Sequence, residues 1–211
     1  MGEFLLLLGS YLIGSIPTGH LIVKKMKGVD IRNIGSHSTG ATNVNRILGK
    51  NWGRAVMIID VLKGFLIAIL SLLSGFNLWI VGMAILLVVV GHTFPVFIKF
   101  KGGKGVATFL GILISLLIFC FVEFPHPWTY GAMVIVVISW IIVHKSRKMM
   151  GLSSLFLMPL IIFYFAGLTI FVNFSLTLTI VMTIICLFIV YNHRENWRRL
   201  WRGKESKTDL I

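Results

Sequence analysis

The sequence predicts an all-α polytopic integral membrane protein with seven transmembrane helices, the N-terminus outside and the C-terminus cytoplasmic. Three observations carry this expectation. Hydrophobic residues make up 57% of the 211-residue chain, above the roughly 45–50% of soluble domains. Apolar runs recur at lengths near the about 20 residues that span a bilayer. The 20 Lys and Arg residues are sorted: all fall in or beside residues 24–63, 99–104, 145–148 and 194–207. The connections near Ser74–Asn77, Glu123–Trp128 and Asn173–Ser175 have none. With alternating spans, the basic stretches share one side only for seven crossings, and the positive-inside rule makes that side cytoplasmic. The formal net charge of +13 follows largely from this topology and from attraction to anionic head groups. It therefore says little about a substrate. One domain over residues 1–211 is expected.

Phe4–Val23 reads as the first span, interrupted in its second half by Gly14, Pro17 and Gly19. Proline in a membrane helix frees a backbone carbonyl, so a kink is expected. Glu3 stands where a signal peptide would be basic, and no small-x-small cleavage site follows, so the span is expected to be retained. Lys24–Asn51 is the longest polar stretch, dense in hydroxyls, amides and glycine. Ile31, Ile34, Val44, Ile47 and Leu48 are spaced like buried anchors, which argues for order. A short helix would put Thr42 and Arg46, at i and i+4, on one face. The stretch reads equally as an interfacial loop whose polar groups satisfy one another or as a ligand loop. Trp52–Ser74 is the second span, with Asp60 and Lys63 inside it at i and i+3. Ionisable groups in a membrane are paired or functional, and mutual pairing is the simpler account here.

Leu78–Phe97 is the third span, with His92 near its cytoplasmic end as an expected hydrogen-bonded structural residue. Val106–Val122 and Trp128–Val143 are the fourth and fifth, both somewhat short, with Pro125 and Pro127 at the external turn between them. The basic loop His144–Lys148 and the segment Gly151-Leu-Ser-Ser154 precede the sixth span, Leu155–Val172, and the seventh, Leu176–Tyr191. In the tail, His193 and Asn196 share a helical face, and Trp197 and Trp201 form an i, i+4 pair suited to the head-group layer. Cys120 and Cys186 lie inside apolar runs, with no sign of a disulfide framework or metal site.

The stretch Phe94–Thr108 stands apart. An apolar run ends at Pro95, then Lys99, Lys101 and Lys104 alternate with Gly102, Gly103 and Gly105 before apolar residues resume. Glycines let backbone amides turn inward, and the following helix start presents N–H groups and a positive dipole end. That combination suits an anion, most often phosphate. The inventory near the basic side is Ser, Thr, Asn, Arg, Lys and His, with Asp30, Glu195 and Glu205 the scarce carboxylates. This suits phosphate binding better than metal ligation or paired-carboxylate chemistry. A P-loop is excluded, because Gly105 occupies its Ser/Thr position and no glycine lies five residues before Gly103. None of the six histidines has an aspartate five residues on, so the His-x4-Asp motif of thioester-using acyltransferases is absent.

Three ordered motifs resemble the PlsY family of bacterial membrane acyltransferases. The first is Asp30-Ile-Arg, Gly35-Ser and Gly40-Ala-Thr-Asn, with Arg46 and Gly49-Lys50. The second is Gly91-His-x-Phe-Pro-Val-Phe, running on to Phe100-Lys-Gly-Gly-Lys-Gly-Val-Ala-Thr108. The third is His193-Arg-Glu-Asn with Arg199-Leu and Gly203-x-Glu205. Asp60-x-x-Lys63-Gly64 matches as well. The chain departs from the family at His37 and Ser38, where Gly-Asn is usual, and around Arg147–Ser154.

The resemblance implies transfer of a fatty acyl chain from acyl phosphate to glycerol 3-phosphate. The products would be 1-acyl-glycerol 3-phosphate (lysophosphatidic acid) and phosphate, in the first step of phospholipid synthesis. It implies His193, Ser36 and Lys104 as catalytic residues. Thr42, Asn43, Arg46, Lys101, Gly102, Gly103, Ser153 and Asn196 would bind substrate. No cofactor, metal or nucleic acid is expected; acyl phosphate, glycerol 3-phosphate and membrane lipid are the implied partners. The implied location is the bacterial plasma membrane, multi-pass, with the active site facing the cytoplasm. An organophosphate transporter using the same anion site, or an inactive family member acting as a membrane scaffold, stays open at this level.

Overall fold

The structure, a computed structural model, describes residues 1–147 and 150–203. Every regular element among them is helical: α1 (Gly2–Ser15), α2 (Thr18–Lys27), α3 (Ala41–Leu48), α4 (Lys50–Leu73), α5 (Leu78–Thr93), α6 (Val106–Glu123), α7 (Pro127–Arg147), α8 (Met150–Val172), α9 (Leu176–Asn192) and α10 (Arg194–Trp201). Short 3₁₀ turns lie at Ile31–Asn33 and Val96–Ile98. Among the described residues, five helical segments are long and apolar enough to cross a membrane, and six if the bent pair α9–α10 is one span. The expected fifth span, Trp128–Val143, lies within α7. The chain divides into two compact units, residues 1–116 and the described residues from 117 on.

In the first unit both the interior and much of the outer helix surface are apolar, as a lipid-facing bundle requires. Helix α4 buries Gly53, Val56, Asp60, Lys63, Gly64, Ile67, Ala68 and Ser71, while Leu62, Leu66 and Leu70 are exposed. Small residues let the helices approach closely. A Cβ on Gly64 would overlap the Thr108 carbonyl, and one on Gly111 the Val61 carbonyl. Such contacts drive helix association where lipid removes the hydrophobic advantage. Ser115 Oγ adds a hydrogen bond to Phe65 O at 2.9 Å.

The expected kink in the first span is a full break between α1 and α2. Pro17 has no N–H to offer Ile13 O, and Thr18 N turns to Ile16 O at 3.0 Å instead of closing an α-helical bond to Gly14 O. Lys63 supplies the missing donor. Its Nζ reaches Gly14 O at 3.2 Å and Ile16 O at 3.3 Å, and Asp60 Oδ1 lies 2.9 Å away. The charge pair foreseen from spacing thus also mends the proline break.

The long polar stretch is ordered over a small apolar core. Val23, Ile31, Val44 and Val56 are buried, with Ile22, Ala41, Ile47 and Leu48 packed against them. Ile34, foreseen as an anchor, is instead exposed: it lies in the extended segment after the 3₁₀ turn. The short helix over Thr42 and Arg46 is present as α3.

In the second unit α7, α8, α9 and α10 pack in sequence, and α10 also touches α8. Tyr164 Oη donates to Thr129 O at 3.3 Å, and the Thr169 and Thr179 hydroxyls meet at 2.7 Å. Helix α8 starts at Met150, five residues before the expected span, so Ser153 and Ser154 are helical and buried rather than in a loop. Cys120 and Cys186 are both buried and free. Trp197 and Trp201 pair at 6.2 Å between ring centroids and are largely exposed. Lys148 and Glu205 of the motifs lie outside the described residues.

Candidate active site

The first unit carries most of the expected site residues on two loops and α3. Asp30 starts the first loop by capping the 3₁₀ turn, accepting from Arg32 N at 2.9 Å. Arg32 forks onto the same carboxylate, Nε to Oδ1 at 3.0 Å and Nη2 to Oδ2 at 2.6 Å. The guanidinium holds the Asp30 carboxyl well below the usual carboxylate range, and the carboxylate raises Arg32 in turn. His20 Nδ1 lies 3.4 Å from Asp30 Oδ1. Arg32 Nη1 also donates to Ile98 O at 2.6 Å, which ties this loop to the turn after α5. Thr39 N–H to Gly102 O, at 3.5 Å, is a second tie. The two polar stretches that sequence motifs kept apart are therefore neighbours.

Asn43 is the hub of the first loop. It is fully buried. Its Oδ1 accepts from Ser36 N at 3.0 Å, and its Nδ2 donates to Ile34 O and Ser38 O, each at 2.9 Å. The resemblance implied a substrate-binding residue. In this structure its amide is occupied by backbone, so it presents Ser36 rather than facing outward itself. Ser36 and Thr42 are half-buried and Arg46 is exposed. His37 is in the left-handed region at φ 57°, which accounts for the glycine usual there: an L side chain is disfavoured in this conformation. The imidazole Nδ1–H offsets part of that cost by donating to Arg32 O at 2.8 Å.

The second loop runs from Phe94 to Gly105. Lys99 and Phe100 are consecutive non-glycine residues at φ 58°, a strained path that ends at the glycine turn. The expected inward nest is corrected here. Gly102 N–H donates to Thr93 O at 3.0 Å and Gly103 N–H to His92 O at 3.1 Å. Those amides therefore hold the turn against the end of α5, which leaves Lys101, Lys104 and the first turn of α6 as the candidate anion-binding groups. Lys101 is exposed and Lys104 half-buried. Gly103 must be glycine, because a Cβ would overlap the His92 imidazole.

The second unit holds Ser153, His193 and Asn196, all buried. His193 sits at the joint between α9 and α10. Its Nδ1 lies 2.8 Å from Ile189 O. A carbonyl only accepts, so Nδ1 carries a proton, and in the neutral form of the ring the lone pair is on Nε2. Asn196 follows in the first turn of α10 and faces inward, while Arg198 pairs with Glu195 at 2.7 Å on the outer face.

Sequence reasoning passed over Thr18, Thr39 and His20 as parts of this construction. The Pro17 break was the available signal for Thr18: a broken span needs donors and acceptors near it. Thr39 and His20 act through contacts that no spacing rule reveals.

A family model described as glycerol-3-phosphate acyltransferase matches residues 4–203. The chain belongs to that family. A glycerol-3-phosphate acyltransferase of Ruthia magnifica subsp. Calyptogena magnifica is 40% identical over 96% of this chain and 94% of its own. One from Aquifex aeolicus (strain VF5) is 37% identical over 98% of this chain and 100% of its own. Among solved structures, PlsY (YgiH), an integral membrane glycerol 3-phosphate acyltransferase, in its glycerol 3-phosphate form superposes with a TM-score of 0.82. It is 34% identical and the match covers 99% of this chain and 96% of that one. Its lysophosphatidic acid form gives 0.78 at 32% identity, over 100% and 97%. The family expected from the motifs is thus the family found, and the chain is an integral membrane acyltransferase of phospholipid synthesis.

Proposed function

We propose that this protein transfers an acyl chain from acyl phosphate to the 1-hydroxyl of glycerol 3-phosphate, releasing inorganic phosphate. The observation that carries the reading is the match over nearly the whole chain to PlsY in forms named for glycerol 3-phosphate and lysophosphatidic acid. These are the acceptor and the product of the proposed reaction. A mixed anhydride is already activated, so the protein's task is orientation and stabilisation of developing charge. The acceptor oxygen bonds to the acyl carbon, the carbon–oxygen bond to phosphate breaks, and phosphate leaves with the electron pair.

In this scheme Thr42 and Arg46 bind the acceptor, with Asn196. Ser36, Lys101 and Lys104 bind the donor phosphate, and Lys104 steadies it as it departs. Asn43 and Gly102–Gly103 hold the two loops that present these groups, and Ser153 contributes to binding. His193 Nε2 takes the hydroxyl proton, a role the Nδ1–H bond to Ile189 O is compatible with; the departing donor phosphate is the alternative base. The 1–211 chain acts as one membrane domain in the bacterial plasma membrane. It crosses seven times, from an outside N-terminus, with the site on the cytoplasmic face where the basic residues gather.

Purified protein in detergent should release phosphate only when acyl phosphate and glycerol 3-phosphate are both present. Activity with acyl-CoA alone, or uptake of glycerol 3-phosphate into liposomes without chemistry, would overturn the reading. Arg46→Ala and Lys104→Ala should each abolish turnover in protein that still runs as a folded species.

A further inference from the structure

Four side chains buried inside the first unit form one polar chain: Lys63, Asp60, Thr18 and His92 are each more than nine-tenths buried. Asp60 Oδ1 is its centre. It lies 2.9 Å from Lys63 Nζ, 3.2 Å from Thr18 Oγ1 and 3.7 Å from His92 Nδ1. The far edge of the His92 ring meets the glycine turn, since a Cβ on Gly103 would overlap its Nε2. The backbone of the same residue holds that turn, accepting Gly103 N–H at 3.1 Å, with Thr93 O accepting Gly102 N–H at 3.0 Å.

One residue thus touches a carboxylate on α4 with one edge and the Lys101–Lys104 turn with the other. A flat, rigid imidazole in that place sets how far the turn stands from α4. Other ties lie along the approach rather than at the glycines: Arg32 Nη1 on Ile98 O at 2.6 Å and Phe100 N on Pro95 O at 2.9 Å, while Thr39 N on Gly102 O is long at 3.5 Å. We propose that His92 is a positioning residue for the phosphate-handling turn, oriented by the intramembrane Asp60–Lys63 pair. The inference rests on the acyl-phosphate reading above and deepens it. The charge pair inside the membrane then serves the placement of Lys101 and Lys104 as well as the mending of the proline break.

A positioning role separates from a merely structural one by which substrate feels the change. The experiment measures KM for acyl phosphate, KM for glycerol 3-phosphate, kcat and thermal unfolding for the wild type, His92→Ala, His92→Asn, Asp60→Asn and Ser115→Ala. The last removes a buried helix–helix hydrogen bond remote from the turn and serves as the stability control. His92→Ala should lower kcat/KM for acyl phosphate by about a hundredfold, the order that misplacement of about 1 Å costs. His92→Asn keeps a polar group facing Asp60 and should recover about tenfold of that loss. KM for glycerol 3-phosphate should move by less than about threefold in every variant. Gly103→Ala should impair the wild type but add nothing to His92→Ala, because the clashing ring is gone.

If the wild type itself shows no acyl-phosphate turnover, the functional reading fails. If the wild type turns over, and the His92 variants lose stability like Ser115→Ala with KM for acyl phosphate unchanged, the positioning role is overturned. Should His92→Ala not fold, the comparison of His92→Asn with Asp60→Asn decides on the same criterion.

Discussion

Lys63 offers the sharpest test of how the first unit is held together. Its ammonium, 7% exposed with its side chain, makes three contacts: Asp60 Oδ1 at 2.9 Å, Gly14 O at 3.2 Å and Ile16 O at 3.3 Å. Lys63→Met keeps the stem and removes all three. Asp60, 2% exposed, is then a buried carboxylate facing only the Thr18 hydroxyl and His92. Breaking a buried pair from one side costs about 3–5 kcal/mol, because the remaining charge is uncompensated. The double variant Asp60→Leu/Lys63→Met removes that charge too. It still lacks the two Lys63 bonds at the α1–α2 break, to Gly14 O and Ile16 O, at about 1 kcal/mol each. The double variant should therefore be more stable than the single Lys63→Met by about 1–3 kcal/mol. Reversible unfolding in mixed micelles, followed by fluorescence of the six tryptophans, measures both. A single variant within about 0.5 kcal/mol of wild type, or a double variant less stable than the single, would show that Asp60 does not depend on Lys63.

Asn43→Asp places a carboxylate against Ile34 O and Ser38 O, which now accept from its amide. It should cost about 3 kcal/mol and abolish turnover, with limited proteolysis at 34–40 as the readout. The Asp30 carboxyl is held below its ordinary value of 3.8 by Arg32. Its contribution is therefore complete above that value and is lost as pH falls through the lowered folded value. Unfolding midpoints from pH 6 down to pH 2 should fall less steeply in Asp30→Asn than in wild type. His37→Gly relieves the left-handed backbone but gives up the bond to Arg32 O, so its stability should stay within about 0.5 kcal/mol of wild type. His37→Val keeps the unfavourable backbone without the bond and should lose about 2 kcal/mol in the same unfolding assay.

Much of the membrane architecture was legible because hydropathy and charge sorting are one-dimensional. The first four spans fall within a few residues of α1–α2, α4, α5 and α6, since a single segment in lipid satisfies its own backbone only as a helix. The errors have physical causes. Polar Ser153 and Ser154 read as lying ahead of the sixth span, yet a helix face packed on other helices accommodates hydroxyls as well as apolar side chains. Ile34 read as an anchor because burial was inferred from hydrophobicity alone. The glycine turn read as an open nest, because composition shows which amides are able to turn inward but not which carbonyls already hold them. Thr42 and Arg46 were read correctly as one face of α3, a matter of local helical spacing alone.

The chain's own residue order determined that it enters a membrane, which stretches are cationic, which segments are rich in polar and glycine residues, and to which family it belongs. Those are matters of composition, period and motif, and they need no partner from elsewhere in the chain. Folding decided the assignments. It turned Asn43 into a buried hub, set His92 between a carboxylate and the Gly103 turn, and brought Lys63 to the carbonyls at the α1–α2 break. Each of these rests on a contact between residues distant in sequence or on a backbone angle, and a linear string carries neither.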